Sequence, residues 1–466
     1  MIENKLPDNW NSPPFHSLIS SVIGGDWGVD PDTLFDDREY SLAYCIRGSE
    51  LKNWREEKGK TAALRAIKKG SLEKRELEEG DILLEISGGG PNQPVGRTVI
   101  IDKETLSFES HISKICTNFF RKIRLKPHLD KRYVNYYLTH FYNTGEIINY
   151  QGGSNNLRNL KYKEYEQISI PIAPLNEQKR IADTLDKLYL HLDSLNERLD
   201  KIPVLLKQFR ENVLMQAVTG RLTEEWRENR KAESGTANSS TPFTIPGTWQ
   251  WHELGALTRK VSYGTSKKSD NEGKVPVLRM GNLQNGKVDW YDLKYSSDEK
   301  EIASYLLEPG DVLFNRTNSP ELVGKTSIYE GEQPAIYAGY IIRVVTNEEL
   351  NPYYLNFVLN SKYGRDWAWQ VKSDGVSQSN INAKKLSAFE IPLPETDEQQ
   401  EIVKQINGLF SIADRIEILY NELTTKLRKL PLTILGKAFA GQLVSQDPND
   451  EPAGSLLQKI TQMKAK

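Results

Sequence analysis

The stretch Asn11-Ser12-Pro13-Pro14-Phe15 fits the Asp/Asn/Ser-Pro-Pro-aromatic loop of amino-methyltransferases. That chemistry also requires a glycine-rich strand–turn–helix for its cofactor. The glycine-rich candidate, Ser87-Gly88-Gly89-Gly90-Pro91, runs into Asn92-Gln93-Pro94-Val95-Gly96, which reads as a loop and not as a helix start. Val323-Gly324-Lys325-Thr326 ends like a phosphate-binding loop, but such a loop needs a glycine five residues before its Gly-Lys, where Ser319 stands. Pro31-Asp32 followed by Glu56-Glu57-Lys58 has the residue types of a metal-dependent nuclease, yet a chain with 63 acids and 61 bases produces Glu-x-Lys readily. His16, His111, His128, His140, His191 and His252 are scattered without ligand spacing. Cys45 and Cys116 are too few for a zinc cage or a disulfide framework. No catalytic residue and no metal ligand is assigned.

With local chemistry so sparse, the elements that position side chains become the better source of information. At 466 residues the chain exceeds one ordinary core, and its 38% hydrophobic and 27% charged composition is that of a globular protein. A net charge of −2 excludes a global basic signature, so any nucleic-acid role must rest on local patches. The first residues, MIENKLPDNW, contain no apolar leader core, and no apolar run approaches the roughly 18–20 residues of a membrane span. These features predict a cytoplasmic protein that does not cross a membrane.

One pattern occurs twice, at a constant offset of 221 residues. Pro171 and Glu177-Gln178 match Pro392 and Glu398-Gln399; Asn159 matches Asn380, Asp193 matches Asp414, and Gly220 matches Gly441. Each Glu-Gln opens an apolar series. In the first copy it is Ile181, Leu185, Leu188, Leu192, Leu195, Leu199, Ile202, Leu206, Phe209 and Val213. Steps of four and three alternate, the seam of a coiled coil. In the second copy the same register falls on Ile402, Ile406, Leu409, Ala413, Ile416, Tyr420, Leu423, Leu427, Leu430 and Ile434, all apolar again. Asn176 and Asp397 suit helix starts. Pro203 and Pro431 each predict a break into two helical pieces. Gly220 and Gly441 predict the ends.

Upstream segments also pair in the same order. LPDNW from Leu6 echoes IPGTW from Ile245; CIRGSEL from Cys45 echoes VLRMGNL from Val277; LEEGDILLEI from Leu77 echoes LEPGDVLFNR from Leu307. The turns lead into short β-rich runs. The expected fold class is α+β: two α/β domains separated by a long antiparallel two-helix coiled coil, in a pseudo-twofold tandem duplication. From sequence alone a parallel helix pair stays open. The boundaries are 1–168 and 241–389 for the globular domains, 169–230 and 390–466 for the helical spacers, and 231–240 for a small polar linker.

Charge is uneven along the chain. From Ser110 to Tyr165 ten Lys/Arg face three Asp/Glu, with aromatics such as Phe119, Tyr136 and Tyr162 interleaved. From Tyr353 to Lys385 five face two. Basic stretches suit phosphate contacts, whereas a solvated face with core tyrosines is the bland alternative. Polar loops, GGSNNLRN from Gly152, GVSQSNIN from Gly375 and FNRTNSPEL from Phe314, supply Asn, Gln and Arg, which pair bidentately with adenine or guanine.

These features together resemble the DNA specificity subunit of type I restriction–modification systems. The motifs that carry the resemblance are the two Ile-Pro…Glu-Gln helix starts, FRENVLMQAVTGRLTEEWR from Phe209, ILGKAFAGQL from Ile434, LRMGNLQNG from Leu278 and LEPGDVLFNRTNSPELVGK from Leu307. GRLTEEWRE looks similar to the enteric K-type branch. The resemblance covers essentially the whole chain and is weakest in the first globular domain. It implies a non-catalytic subunit whose two target-recognition domains each read one half of a split, asymmetric double-stranded DNA site. The paired helices would set the spacer, placing the domains at major grooves roughly one turn, ~34 Å, or more apart. They would also dock two modification subunits. It implies no cofactor on this chain, S-adenosylmethionine in the modification subunits, and ATP and Mg in two motor–nuclease restriction subunits. By matched position the expected DNA-binding residues are Arg47, Ser87, Arg97, Asn155, Asn156, Asn159, Arg279, Asn282, Arg316, Asn318, Lys325, Ser377, Gln378 and Asn380. Rival readings are a free-standing DNA adenine methyltransferase and a coiled-coil scaffold without DNA binding.

Overall fold

A computed structural model describes residues 6–32, 38–90, 92–154, 157–230, 242–375 and 378–462. Two compact units result. Unit 1 is Met1–Glu197 with Leu423–Lys466; unit 2 is Arg198–Glu422. The division passes through both helical stretches, so each unit holds a globular part, the beginning of one helical stretch and the end of the other.

The local signals act much as the sequence predicts at the helix starts. The first helix begins at Leu175 and the second at Thr396, one residue before Asn176 and Asp397. Both lead in from strand-like segments that close onto the start of the same globular part. In unit 1, Asn11 bridges Ile172 and Pro14 bridges Ser169. In unit 2, Gln250–Glu253 pairs antiparallel with Glu390–Leu393.

Pro203 and Pro431 behave differently. The first stretch divides into Leu175–Leu199 and Ile202–Val218, and Pro203 lies in the first turn of the second piece, where its missing N–H costs little. The predicted break at Pro431 is overturned: Thr396–Phe439 is one helix of 44 residues with Pro431 inside it. Beyond the proline, Leu435, Ala438 and Phe439 are buried in the unit 1 core, and that packing holds the last turns in line. Gly220 and Gly441 take φ of +73° and +69° just past the helix ends, a left-handed turn that glycine enters without Cβ strain.

Of the predicted apolar series, Ile181, Leu185, Leu192, Leu206, Val213, Ile402, Ile406 and Ala413 are buried. In unit 1, Ile181, Leu185 and Leu192 share a core with Leu435, Ala438 and Phe439. In unit 2, Val213, Leu214, Ala217 and Val218 share a core with Ile402 and Ile406. Within each unit, then, the beginning of one helical stretch packs with the end of the other. The rest of the series is more open: Leu195, Phe209, Ile416, Leu423 and Leu430 are exposed, and Leu188, Leu199, Ile202, Leu409, Tyr420, Leu427 and Ile434 are half-buried.

Each globular part is built of short, mostly antiparallel strands. Unit 1 has a sheet in the order 19–24, 120–125, 82–85, 98–100, beside a second sheet of 63–68, 40–46 and 113–116. Unit 2 has a larger sheet in the order 258–263, 341–346, 312–315, 326–328, 286–288, 283–284, beside 294–296, 275–278 and 336–337. A helix covers each main sheet: Lys131–Asn143, capped by Asp130, and Pro352–Asn360, capped by Asn351. Tyr133 and Tyr354 on these helices are fully buried, and each hydroxyl donates to a proline carbonyl, of Pro171 and Pro392, at 2.6 Å.

The repeated Glu-Gln now has a physical reason. Gln178 accepts the backbone N–H of Asp130 and Gln399 that of Asn351, so each glutamine holds the residue that caps the covering helix. Their amide N–H groups donate to the carbonyls of Ala173 and Pro394. Each glutamate binds a tryptophan at the start of the globular part, Trp10 or Trp249. The C-terminal helix Ala453–Gln462 buries Ala453, Leu456 and Ile460 in unit 1, where Arg180 pairs with Asp450 at 2.7 Å.

Candidate nucleic-acid interface

In unit 1 the main-sheet strand Ile82–Glu85 continues into Ser87-Gly88, and this short strand turns away to pair with Leu157–Leu160. The turn is fixed by Ile86, whose carbonyl accepts the N–H of Leu160 at 2.8 Å. The result is a small three-stranded sheet of 87–88, 157–160 and 151–154, rich in Ser and Gly and carrying Gln151, Arg158 and Asn159. On it Ser87 donates to the side-chain oxygen of Asn159 at 2.7 Å. Two residues predicted from distant motifs therefore meet, and Asn159 is exposed.

Unit 2 repeats the construction. The strand Val312–Asn315 continues into Thr317-Asn318, which pairs with Ser379-Asn380. Arg316 stands where Ile86 does, and its carbonyl accepts the N–H of Ile381 at 2.9 Å. Asn380 donates to the Thr317 hydroxyl at 2.7 Å. The Arg316 guanidinium lies 4.4 Å from the centre of the Tyr263 ring, a cation–π contact that orients it. Gln378 is exposed on the same hairpin, and Asn318 is half-buried with its side chain accepting from the N–H of Ser319.

The loops after Cys45 and Val277 sit beside these hairpins. Arg97 donates twice to the buried carboxylate of Glu85, at 2.6 and 2.9 Å, and also to the carbonyl of Gly48. Arg47 pairs with Glu50 at 2.7 Å. In unit 2, Lys325 donates to Gln284 at 2.8 Å, and Arg279 pairs with Asp292 at 3.2 Å. Asn282 is buried; its side chain accepts from Arg279 N–H and donates to the carbonyls of Asp289 and Tyr291. Its amide is spent on holding the loop and does not face outward, contrary to a role as a base reader. Asn155, Asn156 and Ser377 lie outside the described residues. Glu85, Gln284, Tyr263 and Thr317, which complete the site, escape a reading by motif because each acts through a partner remote in sequence.

Much of the basic run from Ser110 to Tyr165 is not a free surface. Lys114 donates to the carbonyls of Glu109 and Ile112, and Lys122 to those of Lys74 and Glu76. Burial lowers the pKa of both lysines. Arg124 pairs with Asp81 and Glu78, and Arg132 with Asp130, Asp183 and Asp186. Phe120, Tyr133 and Tyr165 are core residues. The net charge counted along the chain therefore overstates what this region offers a phosphate backbone.

The sets considered first for catalysis are taken up structurally. Phe15 is fully buried and Pro13 pairs with Ile170, so the Ser-Pro-Pro-Phe stretch lines the helix entry. Lys58 pairs with Asp102. Burial pushes the Cys116 thiol up to about 12 and that of Cys45 higher still, which keeps both protonated at neutral pH. Among the described residues no three His, Cys, Asp or Glu side chains gather to hold a metal, and no helix is long and apolar enough to cross a membrane.

The family model of the type I restriction modification DNA specificity domain matches residues 52–204 and 246–425, one stretch for each globular part. The EcoKI specificity subunit of Escherichia coli K12 is 28% identical over 478 aligned residues, covering 99% of this chain and 96% of that protein. The StySPI specificity subunit of Salmonella potsdam is 27% identical over 99% of this chain and 96% of its own length. In fold, the HsdS subunit from Thermoanaerobacter tengcongensis superposes with a TM-score of 0.60 at 18% identity, covering 94% of this chain and 98% of that one. On the strength of both matched regions, the chain belongs to the type I restriction–modification DNA specificity family, the non-catalytic subunits that recognise DNA sequence in those systems.

Proposed function

We propose that each globular part, 1–168 and 241–389, is a target-recognition domain that reads one half of an asymmetric, bipartite duplex. The observation that carries this reading is the convergence of polar side chains at one equivalent place in both units: Ser87 on Asn159, and Thr317 on Asn380 beside Arg316. Exposed Asn159 and Gln378, with the half-buried Arg316, suit base-edge hydrogen bonds on a rigid hairpin. Arg47, Arg97, Arg279 and Lys325 hold the flanking loops and lend positive charge near phosphates. Asn155, Asn156 and Ser377 fall in the polar stretches GGSNNLRN and GVSQSNIN and are proposed as contacts on that ground alone. The two sites differ in their side chains, as two unlike half-sites require.

The matched tryptophan–glutamate, capping and tyrosine–proline contacts support a tandem duplication with pseudo-twofold symmetry. The sharing of each unit's core between the beginning of one helical stretch and the end of the other supports an antiparallel helix pair. The helical spacers, 169–230 and 390–466, set the distance between half-sites. Their exposed apolar residues, including Leu190, Ile412, Ile418 and Leu419, give two modification subunits a surface to dock on. Those subunits bring S-adenosylmethionine for adenine methylation, and two restriction subunits bring ATP and Mg.

Deleting one heptad from each helix tests the ruler. Each helix shortens by ~10 Å, about three base pairs of duplex. Duplexes selected from a randomised library by the complex are expected to keep both half-sites and lose spacer between them. An unchanged spacer would show that something other than the helices sets it.

A further inference from the structure

The turns that lead into the strands Phe120–Leu125 and Ile341–Thr346 differ in sequence, Thr117-Asn118-Phe119 and Ala338-Gly339-Tyr340, yet each projects an aromatic ring into solvent. Phe119 is 46% exposed and Tyr340 51%. The residue that follows each, Phe120 or Ile341, is fully buried, so the chain reverses from core to surface within one step. Such exposure of a large ring forfeits burial that the neighbouring core offers.

Both turns are held against the reading hairpin in the same way. The carbonyl of Phe119 accepts the N–H of Ile86 at 2.8 Å, and that of Tyr340 accepts the N–H of Arg316 at 3.0 Å. Ile86 and Arg316 are also the residues whose carbonyls receive the hairpin strand. One residue thus ties the aromatic turn and the polar pair together in each unit. Beneath each turn lies a glycine without which the strands could not approach. A Cβ on Gly25 would stand 2.1 Å from the carbonyl oxygen of Cys116, and one on Gly264 would stand 2.1 Å from that of Tyr337. The aromatic is therefore a rigid projection, placed next to Ser87–Asn159 in unit 1 and Thr317–Asn380 in unit 2.

We infer that Phe119 and Tyr340 are a matched pair of nucleobase contacts, one for each half-site, which set a ring against base edges or wedge it at a base step and do not touch phosphates. The inference rests on the DNA-reading role proposed above. A ring fixed on a turn loses little entropy on docking, and a duplex offers it the thymine methyl group in the major groove. A ring beside polar readers can also wedge at a base step and seat the hairpin in the groove.

The test uses the full chain assembled with its modification subunits and the duplex that this wild-type complex selects from a randomised library. Phe119→Ala and Tyr340→Ala are each expected to weaken binding about ten- to a hundredfold with an unchanged salt slope, since no counterion release is lost. Phe119→Tyr and Tyr340→Phe, which keep the ring, are expected to bind within about threefold of wild type. Reselection should relax one half-site in Phe119→Ala and the other in Tyr340→Ala. Wild-type affinity in both alanine variants would overturn the inference, as would a reduced salt slope or a Tyr340→Phe variant as weak as Tyr340→Ala. Failure of the wild-type complex to select any duplex would instead overturn the recognition role beneath it. Unchanged melting temperatures in all four variants separate lost contact from lost fold.

Discussion

Trp10 and Glu177 stand 167 residues apart and are joined by a buried hydrogen bond, the indole N–H donating to the carboxylate at 3.0 Å. Trp249 and Glu398, 149 residues apart, are joined in the same way at 2.9 Å. Each bond fastens the entry of a globular part to the first turn of the helix that leaves it. In unit 1 Gln446 donates to the same glutamate; in unit 2 Thr223 and Arg227 do. The residues after the end of one helical stretch thereby close over the beginning of the other.

Trp10→Phe removes the donor and keeps the ring. A buried hydrogen bond to a charged acceptor is worth about 1.5–3 kcal/mol. Urea unfolding is expected to show a loss of that size for unit 1 in Trp10→Phe and for unit 2 in Trp249→Phe. Losses below about 0.5 kcal/mol would mean that packing of the rings alone secures the entries.

Burial raises the Glu177 carboxyl above its ordinary value, although Trp10, Gln446 and Arg180 pull it down. The folded chain therefore holds this proton more tightly than the unfolded chain does. The stability this group contributes is full below the ordinary carboxyl value and is lost as pH rises through the raised one. Midpoints of urea unfolding measured from about pH 4 to about pH 7 should depend less on pH in Glu177→Gln than in wild type. Identical pH dependence in the two proteins would refute the effect.

Arg316→Ala should relax recognition at one half-site only, by ~1–3 kcal/mol for a bidentate base contact. Competition between cognate and single-base variant duplexes measures this. Equal weakening on specific and random DNA would make Arg316 a phosphate contact.

Pro431 lacks the N–H that would close a helical hydrogen bond. Pro431→Ala restores it and is expected to stabilise the protein by about 1–3 kcal/mol, read as a higher melting temperature. A fall in stability would show that the helix needs the bend that proline introduces.

Several features were legible from single residues and their spacing. The two helix starts, the left-handed glycines that end them and the break before Pro203 follow from capping, φ preference and a missing N–H, all local properties. The family itself was legible because repeated apolar steps and Ile-Pro…Glu-Gln are dense, specific motifs. The candidate site was legible only in part. The spacing brought Ser87 and Asn159 to attention separately, while their contact depends on a strand that leaves the main sheet at Ile86.

Residue type and order by themselves determined which motifs recur in the same order along the chain: a domain entry, short β-rich runs, a polar loop and an apolar-striped helix. Tertiary structure alone decided which of those residues face outward. Asn282 and Lys122 have the chemistry of DNA contacts, but carbonyls consume their donors, within its own loop for Asn282 and from more than forty residues away for Lys122. The same is true of Pro431, where a rule of local geometry yields to packing of Leu435, Ala438 and Phe439 beyond it. Periodicity and capping act within a few residues and can be read in order along a chain, whereas burial is set by whatever the fold brings alongside.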